Sequence, residues 1–200
     1  MPDINIMVLV SGNGTNLQAL LDAEKEGSLS RIALVVSDRP GVYALERADI
    51  AGIPAITAEP DTSLPPNERR QELSDRILQL AEMQHIDLIV LAGFLSILAG
   101  DIIQYYSGRM INLHPALLPK FGGKGMYGEK VHRAVLDAGE TESGCTVHLV
   151  DAGTDTGPIL LQCKVPVLPD DTPDSLAERI HAEEHIAIVD AVVMMIKQLR

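Results

Sequence analysis

Two hundred residues, 46% hydrophobic and 22% charged, suffice for one α/β domain and exclude a disordered or collagen-like chain. Sixteen basic against 28 acidic residues leave a net charge of −12 with no basic cluster, which argues against a nucleic-acid partner. No apolar run reaches the roughly 18 residues of a membrane span, so no membrane partner is expected either.

The elements follow in chain order. Ile4-Asn5-Ile6-Met7-Val8-Leu9-Val10 reads as a buried strand that ends at Ser11-Gly12-Asn13-Gly14. Thr15 or a neighbour is then expected to cap a helix carrying Leu17, Leu20 and Leu21. A second strand over 32–36, a helix over 42–51 and a short strand over 53–56 come next, then a proline-rich stretch and a long amphipathic helix with Leu73, Ile77, Leu78 and Leu80 at helical spacing. The apolar stretch 86–93 is the strongest strand of the chain. A helix over 97–105, a strand over 110–113 and a helix over 129–138 lead to two last strands, 146–150 and 159–162. Thr172 and Pro173 open a closing helix towards Arg200 as N-cap and first residue. Such alternation implies a mostly parallel twisted sheet with helices on both faces, a Rossmann-like α/β fold, with residues 1–200 as one domain.

Ligands of open parallel sheets sit beyond the carboxyl ends of strands, and three motifs fall there. Ser11-Gly12-Asn13-Gly14-Thr15-Asn16 places glycines at a helix start, where backbone N–H groups take an anion; it fits neither a dinucleotide fingerprint nor a Walker loop. A phosphate monoester and a mere tight turn are the two readings. Asn112 and His114, two apart in an extended segment, can face one reaction centre as oxyanion donor and proton carrier, or His114 can be a satisfied strand-end histidine. Asp155, in a loop of small residues, can orient a histidine or simply make a turn.

Several side chains call for plainer roles. His181-Ala182-Glu183-Glu184-His185 has zinc-protease spacing, but a catalytic zinc needs a third protein ligand and none is evident, so no metal is expected. His132 reads as a helix-surface residue and His148 as a strand residue close to the Asp155 loop. Cys145 and Cys163 read as core thiols with no metal-type spacing and no disulfide framework. Reduced thiols, together with a start at Met1-Pro2-Asp3-Ile4 that lacks the basic region of a secretory signal, point to the cytoplasm.

Taken together, Ser11-Gly12-Asn13-Gly14-Thr15-Asn16, Leu91-Ala92-Gly93-Phe94, Asn112-Leu113-His114-Pro115-Ala116-Leu117-Leu118-Pro119, Gly144-Cys145-Thr146-Val147-His148 and Asp155-Thr156-Gly157-Pro158 resemble, in that order, the phosphoribosylglycinamide formyltransferase family. The resemblance covers essentially the whole length. It implies transfer of the formyl group of 10-formyltetrahydrofolate, a co-substrate, to the amine of a phosphoribosylated glycinamide in purine synthesis, by direct attack through a tetrahedral intermediate. It implies catalytic roles for Asn112, His114 and Asp155. Gly14, Thr15 and Asn16 would hold the ribonucleotide phosphate, and Glu184 would receive the glycinamide amine. Leu91, Phe94, Leu95, Ser96, Ile97, Leu98 and Asn112 would contact the folate, with Arg70 near its tail. Partners are then small molecules, and oligomeric state is left open.

Two features depart from the family: residues 121–128 make a longer glycine-rich loop, and Ser96 stands where a basic residue is common. The alternative is a 10-formyltetrahydrofolate hydrolase with water as nucleophile. That enzyme is expected to carry a preceding regulatory domain, whereas the first strand here begins at Ile4. A methionyl-tRNA formyltransferase is expected to carry a further C-terminal domain.

Overall fold

The run Ile6-Met7-Val8-Leu9-Val10 is buried at every position, which requires cover on both faces and places this strand at the middle of a sheet. The computed structural model describes residues 4–200; Met1-Pro2-Asp3, read above as the start of a chain without a secretory signal, lie outside them. The elements are β1 (Ile6–Val10), α1 (Thr15–Lys25), β2 (Ile32–Ser37), α2 (Tyr43–Ile50), β3 (Ala55–Thr57), α3 (Pro66–Met83), β4 (Leu88–Leu91), α4 (Asp101–Tyr105), β5 (Met110–His114), α5 (Glu129–Asp137), β6 (Glu142–Leu149), β7 (Ile159–Pro166) and α6 (Pro173–Leu199).

The sheet runs β3-β2-β1-β4-β5-β6-β7. Its first five strands are parallel; β6 runs antiparallel to β5 although α5 lies between them in the chain, and β7 pairs antiparallel with β6 across the loop that joins them. Leu17 and Leu20 of α1, Ala44 and Ala48 of α2, Val135 of α5 and Leu176, Ile180 and Ile188 of α6 pack on one face. Leu73 and Ile77 of α3 and Ile102 of α4 cover the other. Strand order reverses between β1 and β4, so a crevice opens at the carboxyl ends of β1, β4 and β5.

Several boundaries differ from expectation for local reasons. Gly14, at φ 75°, occupies the N-cap position of α1, and no side chain caps that helix. A Cβ at Gly14 would stand 2.7 Å from the Ala44 Cβ, so the close approach of α2 requires glycine. The helix expected over 97–105 forms only as α4, because Gly100 turns the chain through a left-handed conformation and residues 95–98 stay irregular. β3 starts at Ala55, after Pro54, which has no N–H to give a ladder. β6 and β7 are each eight residues, longer than their apolar cores; Lys164 pairs with Glu142 at 3.0 Å beyond that core. The start of α6 is as expected: Thr172 Oγ1 accepts from the Ser175 amide, and Ser175 Oγ accepts from the Thr172 amide.

Candidate active site

The crevice holds a cavity of about 400 Å³ bounded by the loop before α1, the segment after β4, the ends of β5 and β6, residues 123–128 and α6. Antiparallel pairing of β5 with β6 sets Asn112 opposite His148 and His114 opposite Thr146. The loop between β6 and β7 then brings Asp155 over both strands, with Asp155 in the left-handed region at φ 58°. Its Oδ2 lies 3.5 Å from His114 Nδ1 and accepts from the Gly123 amide at 2.9 Å. Its Oδ1 lies 3.5 Å from Asn112 Nδ2 and 3.6 Å from His148 Nε2.

Both nitrogens of His114 face acceptors: Asp155 at Nδ1, and the Phe121 carbonyl at Nε2, 2.8 Å away. Only an imidazolium satisfies both with hydrogens. Burial opposes that charge and holds the His114 pKa below its ordinary value, against the Asp155 charge and the Phe121 carbonyl, which raise it. For Asp155 burial works upward, yet the neighbouring His148 ring, the hydrogen bond from the Gly123 amide and the His114 charge leave its pKa lowered. His148 packs its Nδ1 against the Leu149 carbonyl at 2.8 Å, so in the neutral ring Nδ1–H donates there and Nε2 accepts from the Asn112 amide at 3.1 Å.

The same chain pattern is found in known proteins. The pattern of the formyl transferase family matches residues 4–192. The chain is 38% identical to the phosphoribosylglycinamide formyltransferase of Escherichia coli (strain K12), over 91% of this chain and 82% of that protein. The chain belongs to the formyl transferase family. It is also 43% identical to the trifunctional purine biosynthetic protein adenosine-3 of Drosophila melanogaster, over 96% of this chain but only 14% of that much longer protein. Among solved structures, the glycinamide ribonucleotide transformylase 1 of Symbiobacterium toebii superposes with a TM-score of 0.89 at 40% identity, over 98% of this chain and 89% of that one.

Within this formyl transferase the residues singled out from the sequence mostly converge. Gly14, Thr15, Asn16, Leu91, Phe94, Leu95, Ser96, Ile97, Leu98, Asn112, His114, Asp155 and Glu184 all line the cavity. Ser11 Oγ accepts from the Leu95 amide at 2.7 Å and ties the glycine loop to the segment after β4. Asn16 Nδ2 donates to Glu184 at 3.3 Å and ties that loop to α6, so Glu184 stands beside Asn16. Burial raises the Glu184 pKa, offset in part by His181 and the Asn16 hydrogen bond. Ser96 Oγ donates to Asp38 at 2.6 Å. Arg70 borders a second groove instead, which shares Leu95, Ser96 and Ile97 with the cavity wall.

Three histidines change standing. His148 is part of the Asn112–Asp155 network, a role its place directly across from Asn112 confers. His132, expected on the helix surface, is 3% exposed and borders the cavity. The reason is its spacing from Val135 and Leu136, three and four residues on, which puts it on the packed face of α5. His181, read only as half of a zinc spacing, lies 3.8 Å from Glu184 at the cavity wall. No group of three or more His, Cys, Asp or Glu side chains gathers as a metal site among the described residues. Cys145 and Cys163 are free thiols opposite each other across β6 and β7, and burial pushes the Cys145 thiol up to about 12. No helix among the described residues is long and apolar enough to cross a membrane.

Proposed function

We propose that this formyl transferase moves the formyl group of 10-formyltetrahydrofolate to the amine of N1-(5-phospho-D-ribosyl)glycinamide, with residues 1–200 acting as one domain in a reducing cytoplasm. The observation that carries this reading is the convergence of Asn112, His114 and Asp155 in one cavity with an uncapped helix start. Gly14, Thr15 and Asn16 hold the phosphate at the α1 N-terminus, where free N–H groups and the helix dipole favour an anion. Glu184, beside Asn16, receives the glycinamide amine. Leu91, Phe94 and residues 95–98 receive the pterin, and Arg70 in the adjoining groove meets the anionic tail of the folate.

The amine attacks the formyl carbon, and the carbonyl electron pair moves to oxygen. Asn112 Nδ2, whose contact to Asp155 is long at 3.5 Å, and the His114 hydrogen now directed at the Phe121 carbonyl are placed to stabilise that oxygen. Asp155 sustains the imidazolium and relays a proton from the attacking amine to the departing folate nitrogen, after which the C–N bond to the folate breaks.

The test follows loss of the formyl group from 10-formyltetrahydrofolate in EDTA, with and without the ribonucleotide. Loss that depends on the ribonucleotide is the expected result. Equal loss without it would establish the hydrolase instead, and loss abolished by EDTA would return the metal reading.

A further inference from the structure

We infer that His132 is a specificity residue for the acceptor, its imidazole hydrogen-bonding the glycinamide carboxamide of the ribonucleotide. The inference rests on the acceptor proposed above. His132 lies on α5 between Val131 and the packed Val135, is 3% exposed, and borders the cavity. Its Nδ1 is shut away from solvent with no hydrogen-bond partner among the described residues. Nε2 has no hydrogen-bond partner among the described residues either and is not shut away as Nδ1 is, so the whole ring stands unengaged by the protein beside the cavity.

The surroundings narrow the ligand chemistry. From the phosphate loop the cavity wall passes through Asn16 to Glu184 and His181, and His132 is near enough to both His181 and His114 to feel their charges. The part of the acceptor between its phosphate and its reacting amine therefore runs past His132. Burial pushes the His132 pKa down to about 4, so the ring is neutral near pH 7, with one N–H and one lone pair. A neutral ring nitrogen suits an uncharged amide, donating to its carbonyl oxygen or accepting from its N–H, and offers a phosphate no charge. With Nδ1 enclosed, the Nε2 edge is the one left to meet the ligand.

The test uses the full chain, varying each substrate in turn, with calorimetric binding of glycinamide ribonucleotide alone and a melting curve for every variant. His132→Leu is expected to raise the KM and Kd for the ribonucleotide about tenfold while the folate KM holds. His132→Gln, whose amide nitrogen reaches the Nε2 position, is expected to recover to within about threefold of the original. If His132→Leu does not fold, His132→Asn, whose shorter amide stays near the Nδ1 position, takes its place. An unchanged ribonucleotide KM, an equal rise in both KM values, or no recovery with glutamine would overturn the inference. Formyl loss from the unaltered protein without any ribonucleotide would overturn the acceptor itself, a separate failure visible before any variant is made.

Discussion

Asp155 gathers four contacts on one carboxylate: His114, His148, Asn112 and the Gly123 amide. It does so from a left-handed backbone conformation that aspartate tolerates better than most residues. The charge is what matters for His114, because burial lowers that pKa and Asp155 is the main opposing influence. Asp155→Asn keeps the shape and removes the charge, so less of His114 is protonated at any pH. The protonated fraction falls as pH rises through the native His114 pKa, which already lies below the ordinary value. Turnover at pH 7.5 is therefore expected to drop about 10²–10⁴-fold. The alkaline limb of kcat/KM should move to lower pH, while calorimetric ribonucleotide binding and circular dichroism stay unchanged. A variant with near-normal turnover, or with a limb that does not move, would remove Asp155 from the proton path.

At the level of elements, α6 carries Glu184 and His181 to the cavity, and its position depends on how its first turn is anchored. Asp171 accepts from Arg179 at 2.7 and 2.9 Å, from the Leu168 amide at 2.7 Å and from Ser175 Oγ at 2.8 Å. Its side chain is only 3% exposed, and these donors, Arg179 first, hold the carboxyl well below the usual range. Asp171→Ala is expected to lower the melting temperature at pH 7 by roughly 5 °C. The ribonucleotide KM should hold, because Glu184 lies more than three turns further along the helix. Since the native pKa is depressed, this contribution is complete above the unfolded value of about 4 and shrinks as pH falls below it. Melting temperatures of the two proteins should therefore draw closer from pH 7 down to 3 without meeting, because the native carboxyl still holds its charge there.

The strands, the capping box of α6 and the strand-end motifs were legible because each is a local pattern: a buried apolar run, a Thr-Pro-x-Ser start, a glycine turn. The antiparallel β5–β6–β7 edge was not, because α5 between β5 and β6 reads as a crossover helix and a strand's own residues do not record its direction. His148 was hidden for the same reason, since its tie to Asn112 exists only in that register. His132 was legible in principle through Val135 and Leu136. Its charge-capable ring suggested the surface, and burial of the helix face prevailed.

For the whole molecule, both proposed substrates are anions and the protein carries a net charge of −12. The cavity does not reverse that sign. Its lining residues include Lys124 against three acids, Asp151, Asp155 and Glu184, and the glycine loop offers backbone dipoles that act only at close range. The groove beside Arg70 differs: Arg39, Arg69 and Arg70 outnumber Asp38 and Glu59. Added salt screens charges more than about 10 Å apart at 0.1 M, so it should relieve repulsion of the ribonucleotide and weaken attraction of the folate tail. Between about 10 and 200 mM salt, kcat/KM for the ribonucleotide is expected to rise roughly twofold, and that for the folate to fall or stay level. Arg70→Gln should flatten the folate dependence and leave the ribonucleotide slope untouched. Two slopes that both fall with salt would mean that local cations, not the field of the acidic chain, govern the approach of the ribonucleotide, with Lys124 as the first to substitute.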